Sequence, residues 1–265
     1  METLGYILFV LVGVSLGLLG GGGSILTVPI LVYFLGLSAE KSTAYSLFLV
    51  GIAALAGSIG YIQSKQLNYK VAFLFGIPSI ISVYSVRKWL MPVIPNEVLS
   101  IKDFIITKDL LIMLIFSVVM IITAISMIKK SEIKTEKHFK PIVKTMLIFI
   151  EGIVVGAITG FVGAGGGFLI VPALAVLLKL PIKEAIATSL LIIAIKSLFG
   201  FLGDLNNQII NWELLLTLTF ITLTGIVLGL FLNKKIHAKN LKHGFGYFIL
   251  ISGILIITKE ILFKT

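Results

Sequence analysis

Polar punctuation divides this chain into eight apolar stretches: Leu4–Leu37, Ser42–Ile62, Tyr69–Val86, Leu110–Ile128, Thr145–Leu180, Ala185–Leu202, Trp212–Leu232 and Phe245–Ile257. A helix that crosses a bilayer needs roughly 20 consecutive apolar residues, and most of these stretches are of that order. The first and fifth are longer than 30 residues. As single helices they would run to about 50 Å, against a hydrocarbon core of about 30 Å. Both are interrupted near the middle, by Gly20-Gly21-Gly22-Gly23-Ser24 and by Gly163-Ala164-Gly165-Gly166-Gly167, and a proline follows each run, Pro29 and Pro172. Consecutive glycines weaken a helix and a proline favours a fresh start. Each long stretch therefore reads as two half-helices joined by unwound backbone, giving up to ten helical pieces. The expected fold is an all-α polytopic membrane protein.

Composition agrees. Of 265 residues, 58% are hydrophobic and only 13% charged, with a mean hydropathy of +1.12. Soluble domains carry about 25% charge. There is no cysteine, which excludes disulfides, thiolate metal sites and cysteine chemistry. The three histidines, His138, His237 and His243, fall in polar connections, which argues against a metal site, and no cofactor is expected. The net charge of +10 comes from 21 lysines and one arginine, Arg87. On a soluble chain that balance would suggest nucleic acid. Here most lysines stand at segment ends, so the expected partner is membrane lipid. No basic residue precedes Lys41, so the start lacks the positive region of a secretory signal.

The sequence also repeats. A shift of 143 residues places Gly13, Gly17, Gly20, Gly22, Gly23, Val28 and Pro29 on Gly156, Gly160, Gly163, Gly165, Gly166, Val171 and Pro172. The same shift carries Ala44, Ser46 and Leu47 onto Ala187, Ser189 and Leu190, and Gly57, Gly60 and Asn68 onto Gly200, Gly203 and Asn211. Without a gap, 20 of the 57 positions in Val12–Asn68 are identical. The chain divides into repeat 1 (1–128), a basic linker (129–144) and repeat 2 (145–265). Residues 87–108 read as a loop that the second copy lacks. If each copy crosses an odd number of times, the copies are inverted, and lysine plus arginine then number 7 on one face and 14 on the other. A parallel arrangement leaves the two faces nearly equal, so the positive-inside rule selects the inverted one. That predicts a cell-membrane protein with both termini outside and the linker in the cytoplasm.

Unwound backbone in lipid survives only where it lines protein or a watery cavity. A matched pair of broken segments in two inverted halves is the strongest pointer to a transporter's substrate site. Half-helices starting near Ser24 and Gly167 would present bare amides and a positive dipole end to an anion, and glycines permit close approach. The expected substrate-binding residues are Gly20, Gly21, Gly22, Gly23, Ser24, Gly163, Gly165, Gly166 and Gly167, with hydroxyls from Thr43, Ser46, Thr188 and Ser189. Those hydroxyls have an equal alternative in bonding helix carbonyls. Lys196 interrupts an apolar run and corresponds to Ala53. A charge within a span is expensive and usually functional, though a lysine stem can also reach toward an interface near Asp204. Glu151 is a further ionisable residue, for proton relay or for pairing with a cation. With no arginine expected inside a span, anion selectivity would rest on amides, hydroxyls and Lys196. Gly13, Gly17, Gly57, Gly60, Gly156 and Gly160 read as close-packing positions. The runs are not phosphate loops, since they lack the Lys-Ser/Thr pair.

The doubled motif resembles the TauE/SafE family of sulfite, sulfonate and related anion permeases. The resemblance is carried by Gly17–Pro29 and Gly160–Pro172, with Ala44-Tyr-Ser46-Leu and Ala187-Thr-Ser189-Leu downstream. It implies a multi-pass carrier of small organosulfur or other anions, coupled to a proton gradient. The third segment departs from the repeat, with Ser82 and Val86 where the second copy has Gly225 and Gly229. The expected function is a secondary carrier for a small anion working by alternating access, not an enzyme. A channel and a non-transporting membrane subunit remain alternatives, and a homodimer is open.

Overall fold

The structure, a computed structural model, describes residues 2–19, 22–63, 66–101, 104–128, 141–176, 178, 180–233 and 238–262. Gly20, Gly21, His138, His237 and the linker through residue 140 lie outside the described residues.

Every apolar stretch is helical. The first is α1 (Glu2–Leu19), a 3-10 turn (Gly22–Leu26) and α2 (Thr27–Tyr33). It is followed by α3 (Ala39–Gln63) and α4 (Tyr69–Ser85). The second long stretch is α7 (Pro141–Val162) and α8 (Gly167–Val176), and α9 (Ile182–Asp204), α10 (Trp212–Asn233) and α11 (Ala238–Leu262) complete the chain. Both long stretches are thus interrupted at their glycines, where the loss of helix propensity is greatest. Among the described residues six helical segments are long and apolar enough to cross a membrane: Ala39–Ile62, Tyr69–Val93, Lys108–Ile128, Thr145–Val162, Lys183–Asp204 and Trp212–Leu232. Large apolar side chains such as Ile81, Phe220, Phe231 and Leu255 are more than half exposed, as expected of faces that meet lipid.

Residues 87–108 are not a plain loop. α4 continues through a π-helical turn (Val86–Leu90) into the short α5 (Met91–Val93), followed by an antiparallel hairpin of β1 (Glu97–Ile101) and β2 (Phe104–Thr107) that leads into α6 (Lys108–Ile128). This also corrects the expectation that no arginine enters a span. Arg87 lies within the helical segment Tyr69–Val93 and is 0% exposed. A sequence boundary drawn at the first charge misses a helix that keeps going because that charge finds a partner inside.

The helices pair across the copies. α1 packs on α10 and α7 on α4, while α3 lies against α9 and α6 against α11. Under the 143-residue shift α7 corresponds to α1 and α10 to α4, so the first two seams are one contact with the copies exchanged. Hydrogen bonds repeat the exchange. The Asn211 amide donates to the Tyr45 hydroxyl at 2.6 Å, and the Asn68 amide donates to Thr188 Oγ1 at 3.0 Å. Tyr45 corresponds to Thr188 and Asn68 to Asn211. Each asparagine also caps the helix it precedes, Asn68 Oδ1 accepting from Val71 N and Asn211 Oδ1 from Leu214 N, both at 3.1 Å. Contacts in which i meets j and j meets i are those of a two-fold relation.

Glycine sets how closely the seams approach. A Cβ on Gly17 would lie 2.7 Å from the Ile226 carbonyl oxygen, and one on Gly225 would lie 3.0 Å from Gly13 Cα. On the other seam a Cβ on Gly156 would meet the Ser79 carbonyl oxygen at 2.6 Å and Ser82 Cβ at 2.9 Å. Ser82 and Val86 therefore stay in the seam although they replace glycines, because Gly156 and Gly160 opposite leave them room. Gly60 is a correction: a Cβ there meets nothing within 4 Å, so it is not a packing position.

Candidate functional site

Polar side chains that a bilayer would otherwise penalise gather on the central pair α3 and α9: Ser42, Thr43, Ser46, Ser58, Thr188, Ser189, Lys196, Ser197 and Asp204 are all buried. The second break runs between these two helices. α7 ends where Gly163 N donates to the Thr159 carbonyl at 2.8 Å, and α8 starts on the Gly166 carbonyl, which accepts from Leu169 and Ile170, each at 3.0 Å. Between them Gly163, Gly165 and Gly166 hold φ of +73°, +65° and +78°, a region that L side chains rarely enter. Close contact enforces glycine as well. A Cβ on Gly163 would sit 2.5 Å from Thr43 Cα, one on Gly165 would strike Val50, and one on Gly166 would strike Thr159 and lie 2.9 Å from Lys196 Nζ.

The structure therefore brings the second glycine run together with Thr43 and Lys196. Lys196 is 0% exposed, and its ammonium donates to Thr159 Oγ1 at 2.6 Å. No carboxylate pairs with it among the described residues, and Asp204 is engaged by Arg87. Thr159 Oγ1 in turn donates to the Val155 carbonyl at 2.7 Å. Thr43, Ser46 and Val50 share one face of α3 by their spacing, and Thr43 and Val50 bracket the break. Ser46 Oγ, buried between them on that face, has no hydrogen-bond partner among the described residues.

Other expected residues are placed elsewhere or differently. Gly22, Gly23 and Ser24 lie in the 3-10 turn of the first break, with Ser24 buried. Gly23 closes on α1, where a Cβ would strike Ser15 and lie 2.7 Å from Leu16 N. Gly167 opens α8. The Thr188 hydroxyl holds the Asn68 amide, and Ser189 Oγ donates to the Ile186 carbonyl at 2.8 Å. Glu151, half-buried on α7, makes no ion pair among the described residues.

Arg87 is the residue that sequence reading missed. Its Nη1 donates to Thr43 Oγ1 at 3.0 Å and lies 3.3 Å from Asp204 Oδ2 in a fully buried ion pair. Thr43 Oγ1 donates to the Glu40 carbonyl at 2.7 Å, and Glu40 pairs with Lys108 at 2.6 Å. The available signal was its rarity: it is the only arginine in the chain and follows an apolar stretch directly. π-helical turns recur at functional positions, and this one carries Arg87.

Membrane-length helices, two interrupted segments and a buried lysine set against one interruption define a polytopic membrane protein of transporter type. The chain belongs to the sulfite exporter TauE/SafE family, which it matches over residues 6–256. It is similar to a "Probable membrane transporter protein" of Xylella fastidiosa (strain Temecula1 / ATCC 700964), 28% identical over 255 residues covering 94% of this chain and 92% of that protein. It is likewise similar to the probable membrane transporter protein MJ0441 of Methanocaldococcus jannaschii, 27% identical with 94% and 91% coverage, and to YunE of Bacillus subtilis (strain 168), also named a probable membrane transporter protein, 26% identical with 89% and 91% coverage. No solved structure matches the chain. The protein is a membrane transporter of this family.

Proposed function

We propose that the protein is a secondary carrier for a small oxyanion such as sulfite, a sulfonate or a related organosulfur anion, moved by alternating access with a proton as coupling ion. One observation carries this reading. The Lys196 ammonium is wholly buried, has a hydroxyl as its hydrogen-bond partner, and sits against Gly166 in a left-handed break. A buried cation without a counter-ion is costly, and an anion entering beside the glycines would supply that counter-charge. The amides opening α8 and the Ser46 hydroxyl add neutral donors on the same side, with Gly20, Gly21, Gly22, Gly23 and Ser24 contributing from the first break. The lysine bias supports two copies inserted in opposite senses, with both termini outside and the 129–144 linker in the cytoplasm.

The test is reconstitution. Proteoliposomes loaded with sulfite, thiosulfate, sulfoacetate or taurine should show flux of at least one anion, accelerated by a pH gradient. No flux of any of them would remove the organosulfur reading, and flux that ignores the gradient would remove proton coupling.

A further inference from the structure

The Arg87 guanidinium has one nitrogen occupied and one edge unused. Nη1 serves both Thr43 Oγ1 and Asp204, whereas Nε and Nη2 are buried with no hydrogen-bond partner among the described residues. Those two nitrogens carry the side-by-side N–H groups of the arginine fork, the edge that meets two oxygens of a carboxylate, sulfonate or sulfite at once. Leaving such donors unmatched in the interior is costly, far more so than for a neutral amide.

We propose that Arg87 is a second anion-binding station on the path to Lys196, taking a small oxyanion through its Nε and Nη2 edge while Asp204 keeps hold of Nη1. Position supports it. Thr43, which Arg87 grips, packs on Gly163 at one end of the break, and Lys196 meets Gly166 at the other. Two cations thus bracket four residues of glycine-rich backbone. Among the described residues the nearby acidic groups are engaged elsewhere: Glu40 is paired with Lys108, and Asp109 accepts from the Glu40 amide at 3.0 Å. Asp204 Oδ2 is close to Nη1 without a well-directed hydrogen bond, so an arriving anion need not displace it. The station is also one-sided. The repeat places Leu230 and Tyr61 at the positions of Arg87 and Asp204, so the symmetric location has no such pair. An anion crossing from one face meets arginine before lysine, and from the other face it does not. This deepens the carrier reading, since it assigns a further stop to the same path.

The experiment separates the two sites by working in a Lys196→Gln background. Purified protein in detergent is titrated with sodium sulfite against sodium chloride of matched ionic strength, and the unfolding midpoint is followed. The expected result is a saturable sulfite-specific rise that persists without Lys196. Adding Arg87→Lys, which keeps the charge but removes the edge, should raise the half-saturation concentration about tenfold. Adding Asp204→Asn instead should lower it, because a nearby negative charge that repels the arriving anion is gone. Should Arg87→Lys fail to fold, the Asp204→Asn arm decides alone. No sulfite-specific rise in the Lys196→Gln protein, or titrations that neither substitution moves, would overturn the station while leaving wild-type flux in proteoliposomes untouched. A station that titrates as expected in a protein that moves no anion would overturn the carrier reading instead.

Discussion

The two glycine breaks share a motif and differ in backbone conformation and in the side chains they meet. In the first, Gly23 closes back on Ser15 and Leu16 of its own preceding helix, in a 3-10 turn with no positive φ at Gly23. In the second, three glycines turn left-handed: Gly163 and Gly165 meet α3, and Gly166 meets Thr159 of its own preceding helix and Lys196 of α9. The repeat pairs Gly23 with Gly166, Leu16 with Thr159 and Ala53 with Lys196. At Gly23 the first break meets the Ser15 side chain and backbone of its own helix, whereas at Gly166 its counterpart meets Thr159 and an ammonium that the first copy lacks. A duplicated motif fixes where backbone unwinds. The residues that did not stay duplicated fix what the unwound backbone meets.

The largest expected effect comes from filling the glycine runs themselves. Gly165→Leu should abolish flux with protein still reaching the membrane, since it must adopt φ +65° and displace Val50, and Gly22→Leu should do the same at the first break. Milder changes should separate the two. Gly163→Ala should cost more stability than Gly23→Ala by the left-handed strain, about 1–2 kcal/mol, read from thermal unfolding in detergent. Equal losses would dissolve the contrast between the breaks.

Next comes the charge. Lys196→Gln should weaken anion affinity about tenfold or more in a flux titration. Lys196→Met should do so too, yet leave the fold as stable or more stable, because removing an unpaired buried charge relieves a desolvation cost. A drop in unfolding midpoint that tracks the loss of flux would return Lys196 to a structural role. Ala53→Lys, which places the same charge at the position the repeat pairs with Lys196, should not restore flux to Lys196→Gln.

Smaller effects probe the exchanged contacts. Tyr45→Phe and Thr188→Val each leave an asparagine amide without its acceptor and should each cost about 1 kcal/mol. A tenfold mismatch between the two in the folding equilibrium would argue against their equivalence. The smallest change is Gly60→Ala, which meets nothing and should stabilise α3 by up to about 1 kcal/mol.

Much of this was readable in order along the chain. Helices and breaks follow from hydropathy and glycine because the bilayer forces every backbone amide to be satisfied locally, which leaves few alternatives. Lys196 was conspicuous for the same reason. The 87–108 segment was not readable, since its π-turn and hairpin depend on where Arg87 and Lys108 find carboxylates distant in sequence. Gly57 and Gly60 looked alike as well, yet a Cβ on Gly57 would lie 3.2 Å from Ile226 while one on Gly60 faces open space. Spacing of four residues marks a helix face and does not tell whether another helix covers it.

By itself the sequence determined a duplicated, membrane-embedded helical chain with two interruptions, because period, apolar length and glycine content act locally and leave their trace in neighbouring residues. Which glycines turn left-handed, which hydroxyls stay unpartnered, and that Arg87 and Lys196 stand at opposite ends of one break were decided only by tertiary structure. Those facts depend on contacts between residues tens to more than a hundred positions apart, and no local pattern encodes the partner on the other side.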